Sequence, residues 1–103
     1  MNTASEDKDL PSYLEVSDEG VTVTLKHKIN ISGVLTDRLT MRPPSVMDWR
    51  ASKVAGGGDF EKQELSLFGS LLGLTEAELL SLKYKDYLRL SAGYFRLVEE
   101  DDV

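Results

Sequence analysis

Between Val21 and Met41 the chain alternates strictly between apolar and polar residues, and no other feature narrows its possible folds as much. Val21, Val23, Leu25, His27, Ile29 and Ile31 fall on one side, with Thr22, Thr24, Lys26, Lys28 and Asn30 on the other. A period of two describes a strand with one buried face; helical geometry would scatter the same residues around the axis. After Ser32-Gly33, a turn signal, Leu35, Asp37, Leu39 and Met41 alternate with Thr36, Arg38, Thr40 and Arg42. Two such runs joined by a short turn predict a β-hairpin. With the turn centred near Gly33, Leu25 is expected opposite Met41 and His27 opposite Leu39. Pro43 and Pro44 then end the sheet, since neither can donate a ladder hydrogen bond. A two-stranded sheet is marginal alone, so this one must pack on helices, pair with another copy, or both.

Helix signals fill the rest of the chain. Ser45 with Asp48 three residues on starts a helix through about Ala55, on which Val46, Met47, Ala51 and Val54 share a face and Trp49 falls to one side. Gly56, Gly57 and Gly58 break it, and Asp59 caps a second helix whose stripe is Phe60, Leu67, Phe68 and Leu71, widened by Leu65 and Leu72. Gly73 suits the left-handed position past a helix end, and Thr75 with Glu78 forms a capping box for a short third helix. A last helix runs from near Tyr84 to Val98. Tyr84, Tyr87, Leu88, Tyr94, Phe95 and Val98 follow its period, while Leu90 and Leu97 broaden the apolar surface beyond what one small core requires. Gly93 costs this helix about 1 kcal/mol relative to Ala, which suggests a close helix approach. The expected architecture is α+β: an N-terminal β-hairpin followed by about four short helices covering one sheet face.

Charge divides the chain further. The total is −6, but residues 1–20 carry −5 and the closing EEDDV carries −4, leaving +3 on residues 21–98. The expectation is a flexible acidic arm (1–20), a single domain (21–98) and an acidic tail (99–103), as 103 residues at 41% hydrophobic content suit one modest core. Absence of cysteine removes disulfides, thiolate metal sites and cysteine nucleophiles, and fits a reducing compartment. No apolar run approaches a membrane span, and the polar, acidic start lacks the pattern of a signal peptide, so a cytoplasmic location is expected.

Residues that carry chemistry elsewhere have ordinary readings here. His27 is the sole histidine and lies on the apolar strand face, without the partners of a triad or metal site; it reads as structural. Gly56 to Asp59 lacks the Lys-Ser/Thr ending of a phosphate loop and reads as a hinge. Glu61, Glu64, Glu76 and Glu78 sit in first helical turns, where carboxylates complement the helix dipole. No enzymatic activity, cofactor or metal is expected. Lys83, Lys85, Arg89 and Arg96 give the last helix a basic side, which keeps a small nucleic-acid-associated regulator as the alternative function. Trp49, Tyr94 and Phe95 are the large aromatics suited to anchor a protein partner. Core packing is the ordinary reading for Tyr94 and Phe95; for Trp49 the two readings stand level.

The order of features, a hairpin, the run RLTMR-PPS, a helix bearing Asp48 and then LGLTEAELLSLKYKDYL, resembles the tail assembly chaperones of Mu-like and P2-like contractile-tailed phages. Leu74, Thr75, Glu78, Leu79, Leu82, Asp86, Tyr87 and Leu88 carry the resemblance, which spans roughly residues 21 to 97. The acidic first 20 residues and the triple-glycine break depart from that pattern. The resemblance implies a non-enzymatic chaperone in the bacterial host cytoplasm that holds the long, helical tape measure protein soluble and helps tail tube protein assemble around it. It implies no deep pocket, and for Asp86 a structural cap or polar contact near the start of the last helix. Trp49, Leu82, Tyr84, Tyr87, Leu88, Tyr94 and Phe95 are the expected partner-binding residues. The broad apolar helix face also suits a homo-oligomer.

Overall fold

The computed structural model describes residues 10–99. Within them the order is β1 (Leu14–Ser17), β2 (Gly20–Ile31), β3 (Val34–Met41), α1 (Val46–Gly56), α2 (Phe60–Leu72), α3 (Glu76–Leu80) and α4 (Tyr84–Val98). The α+β architecture agrees with the sequence pattern, with one addition: the sheet is three-stranded, antiparallel, in the order β1-β2-β3. The added strand lies in the segment expected as an arm. Leu14 enters the core and pairs with Val23, and Leu10 and Tyr13 pack against the same core, so a few apolar residues fasten this acidic stretch. The expectations for residues 1–9 and 100–103 concern positions outside the described residues.

The hairpin forms, but its register is not that of a uniform ladder. Near the turn Ile31 pairs with Val34 and Ile29 with Thr36; farther on, Thr24 pairs with Arg38, Val23 with Leu39 and Val21 with Met41. From Thr24 to Ile29 β2 advances five residues while β3 advances two, which leaves three extra residues bulged out of β2. The expected pairings of Leu25 with Met41 and His27 with Leu39 are therefore wrong. Because the offset is odd, it also exchanges which β3 residues share a face with β2's apolar set. Thr36 sits opposite buried Ile29, and Leu35, expected on the apolar face, sits exposed opposite Asn30. His27 lies in the bulge and is exposed, not packed in the core.

A buried carboxylate holds that bulge. Asp86, fully enclosed in the first turn of α4, accepts the Lys26 N–H on Oδ1 at 2.7 Å and the His27 N–H on Oδ2 at 2.9 Å. One turn on, Arg89 Nη1 donates to the Thr24 carbonyl at 2.8 Å, and its guanidinium lies 4.3 Å from the centre of the Tyr13 ring. The two N–H groups that the bulge frees from the ladder are thus met by Asp86, and the Thr24 carbonyl at its edge by Arg89, from positions i and i+3 on α4. Asp86 does not cap its own helix; Lys83 occupies the N-cap without a side-chain bond.

Below this joint Leu90 and Gly93 press onto the sheet. A Cβ at Gly93 would come within 3.0 Å of Val23 Cγ2 and 3.3 Å of Val21 Cγ1, so this glycine admits a strand, where the sequence suggested another helix. Val21, Val23, Leu39 and Met41 face Leu67, Phe68, Leu71, Leu79 and Leu90 in one core. The opposite sheet face stays polar, with Thr22 and Thr40 hydrogen-bonded across strands at 2.9 Å and Arg38 paired with Glu15 at 2.7 Å.

The helix ends follow the local chemistry. Ser45 with Asp48 and Thr75 with Glu78 form complete capping boxes, Asp59 accepts the Glu61 and Lys62 N–H groups, and Gly73 takes the left-handed position after α2. Arg42 grips the Asp48 carboxylate with two bonds, at 2.7 and 2.9 Å, tying the end of β3 to the start of α1. That guanidinium, followed by the Ser45 N–H, holds the Asp48 carboxyl well below the usual carboxylate range.

Replacing Asp86 by Asn keeps the shape but leaves one bulge N–H facing an amide N–H₂ group. Urea unfolding of D86N is expected to show a loss of about 1–3 kcal/mol. Unchanged stability would mean that the bulge does not depend on this carboxylate.

Candidate interaction surface

Helix α4 is apolar over a broad arc whose two flanks meet different surroundings. Leu90 and Gly93 turn to the sheet, while Tyr84, Leu88, Ser91, Phe95 and Val98 recur at spacings of four and three along the other side. That is the a/d spacing of a helix–helix seam, yet nothing among the described residues covers it. Tyr84 is 74%, Leu88 48%, Phe95 67% and Val98 47% exposed. At its first turn the stripe opens into a groove of 410 Å³ lined by Phe60, Glu61, Glu64 and Leu65 of α2, Leu79 and Leu80 of α3, and Leu82, Tyr84 and Tyr87.

Local sequence accounts for this opening. All the buried residues of α2 lie in its second half, at Leu67, Phe68 and Leu71, so its first turns extend beyond the core. There α2 packs on α1 instead, closely enough that a Cβ on Gly56 would meet Gln63 Cβ at 2.8 Å. α3 has only five residues and turns Leu79 inward, which leaves Leu80 outside.

The residues expected from sequence to bind a partner divide accordingly. Leu82, Tyr84 and Tyr87 come together in the groove, and Leu88 and Phe95 continue from it along the stripe. Tyr94 is half-buried, its ring 5.3 Å from that of Phe68. Tyr87 has a double role: its ring lies 5.6 Å from Phe68, and its hydroxyl donates to Glu64 at 2.7 Å. Burial first, and the Glu64 carboxylate next, push the Tyr87 phenol above its ordinary range, so it remains a donor. Trp49 does not line the groove. It stands half exposed on α1 with Lys53 Nζ 5.1 Å from its ring centre.

Three expectations of burial fail, the first being core packing of Phe95, which is 67% exposed. Val46, Met47 and Val54 of α1 are each 78% exposed, because α1 packs through its small residues, Ser52 and Gly56, and not through its apolar ones. Phe60, expected in the α2 stripe, is 74% exposed on the groove rim. Phe60, Leu65, Leu79 and Leu80 were not among the expected site residues. The available signal was the crowding of leucines at 79, 80 and 82 on a segment too short to bury all of them.

The family model described as "Phage tail assembly chaperone proteins, E, or 41 or 14" matches residues 22–99. The chain belongs to the phage tail assembly chaperone family. The match includes the bulge, the Asp86 joint, the groove and the whole α4 stripe. No curated protein and no solved structure matched the chain in the corresponding searches. Among the described residues no helix is long and apolar enough to cross a membrane.

The two sides of α4 should respond differently to truncation. Tyr84→Ala, Leu88→Ala and Phe95→Ala are expected to leave the melting temperature nearly unchanged while reducing binding of a hydrophobic dye such as ANS. Tyr87→Ala and Tyr94→Ala, which remove rings from Phe68, are expected to cost on the order of 2 kcal/mol in chemical denaturation.

Proposed function

We propose that this chaperone binds helical segments of its phage's tape measure protein, keeps them soluble in the host cytoplasm, and yields them as tail tube protein assembles. The observation that carries the reading is the second apolar side of α4. Four large residues at seam spacing remain bare on a helix whose other side already serves the core. An exposed apolar stripe in a small chain is costly to solubility unless something covers it. Its spacing suits an amphipathic helix laid alongside, with Tyr84, Leu88 and Phe95 as anchors beside the groove. Leu82 and Tyr87 shape that groove, Tyr94 supports the stripe from its flank, and Trp49 serves a separate surface.

Such a stripe, about 20 Å long on a 15-residue helix, offers each client segment a modest contact. Affinity then comes from several copies acting on one long client, and each contact stays weak enough for tube protein to displace. The role is non-enzymatic, and self-association of the chaperone fits the same repeated arrangement.

The nucleic-acid alternative loses support from the placement of its basic residues. Arg89 is spent on Thr24 and Tyr13, and Arg96 pairs with Glu99 at 2.8 Å, which leaves Lys83 and Lys85.

Co-expression with the tape measure protein of the same phage is expected to bring that protein into the soluble fraction and to co-purify the pair. The combined Tyr84→Ala, Leu88→Ala and Phe95→Ala variant, still folded by circular dichroism, should lose at least tenfold in recovered complex. Full recovery with this variant would remove the stripe from the reading. Strong, salt-sensitive DNA retardation by the wild-type protein would instead favour the nucleic-acid alternative.

A further inference from the structure

Two surfaces of this chain that do not meet within one molecule are complementary in character. The outer face of α1 interleaves apolar and basic groups: Val46, Arg50 and Val54 follow one another at i, i+4 spacing, and Trp49 and Lys53 run beside them. All five are exposed, and among the described residues neither Arg50 nor Lys53 forms an ion pair. The groove beside α4 is apolar, and its only charged lining residues are Glu61 and Glu64. One surface is thus a basic amphipathic helix and the other an apolar slot with an acidic wall. α1 cannot turn into its own groove, since Ser52 and Gly56 hold it against α2 and Arg42 clamps its first turn.

We propose that α1 of one copy seats in the groove of a second copy, with Trp49 or Val54 entering the slot and Arg50 and Lys53 facing Glu61 and Glu64. The contact joins two different patches, so each copy keeps one unused α1 and one unused groove. Association of this kind continues copy by copy, as an open row or a closed ring, and does not stop at a symmetric pair. It rests on the self-association suggested above but not on client binding, and it places further copies where each can present its own α4 stripe. The opposed charges orient the encounter, so association weakens as salt rises.

Sedimentation of the purified full chain over a concentration series, at low and high salt, tests this. Wild-type protein is expected to form species larger than a dimer, with the average mass falling as salt is raised. A variant with a blocked helix, R50E with K53E, and one with a weakened groove, F60A with L80A, change exposed residues only. Each alone is expected to associate at least tenfold more weakly. Mixed together they still offer one intact α1 and one intact groove, so the mixture is expected to give a dimer of one copy of each and nothing larger. A wild-type protein that stays monomeric, or variants that associate like the wild type, would overturn the proposal. So would a mixture in which no dimer appears. None of these results touches client binding, which the co-purification measurement reads separately.

Discussion

A single buried carboxylate determines how this molecule is put together. Asp86 stands at the one place where β2 departs from its ladder, and its two oxygens take the two N–H groups that the departure leaves without strand partners. A buried amide without a partner costs on the order of 1–3 kcal/mol, so a bulge of three extra residues against a helix would be unstable without such a group. Asp86 also sits in the first turn of α4, where a carboxylate is favoured by the helix dipole. Bulge and helix start are therefore stabilised by the same atoms. Arg89, reaching Thr24 from the next turn, fixes the rotation of α4 about its axis.

That rotation has consequences for everything outside the core. With Asp86, Leu90 and Gly93 directed at the sheet, helical geometry forces Tyr84, Leu88, Phe95 and Val98 to the opposite side. Their exposure follows directly from the joint and is not left over from incomplete packing. The core does not need them: Phe68, between the rings of Tyr87 and Tyr94, already closes the space between α2 and α4. One helix thus carries two different sides, the inner one packed on the sheet and the outer one exposed.

How much of this was legible in the sequence depended on the range of the interaction. Ser45 with Asp48, Asp59 with its helix, and Thr75 with Glu78 were readable because cap and capped group lie within three residues. The hairpin was readable for the same reason, its turn being a two-residue loop between alternating strands. Its register was not, because the bulge is stabilised from Asp86, about 60 residues away, and alternation runs straight through it unmarked. β1 was not legible as a strand because its alternation, Leu14 and Val16 against Glu15 and Ser17, runs for only four residues and buries one leucine. For α1 the helical wheel grouped Val46, Met47, Ala51 and Val54 correctly, but the expectation that this apolar side faces inward failed. Ser52 and Gly56 won the inner side because small residues let two helices approach closely, and the apolar set was left outside. Of the candidate surface, Tyr84, Leu88 and Phe95 follow the expected helical stripe, with Leu90 as the surplus; the structure reverses this, burying Leu90 completely and exposing the other three, while Phe60 required knowing where the core ends.

The surfaces open to other molecules are limited as well. β3 is a sheet edge and so a natural template for another strand, with two exposed apolar residues, Val34 and Leu35, near the turn. Two copies joined there as antiparallel neighbours would be related by an axis perpendicular to the sheet, which keeps each residue on its own face. Such a pair must set residues of the same face opposite each other, and the longest same-face overlaps of the eight-residue strand, one residue short of complete, centre on Asp37 or Arg38. Either choice places a charge directly against its own copy, an arrangement that destabilises a strand pair. The edge is thereby guarded by its own sequence, and β1 at the other end of the sheet is only four residues long. Both sheet edges being unfavourable, the exposed apolar area available for association is helical, and it lies on α1, on α4 and in the groove between α2, α3 and α4.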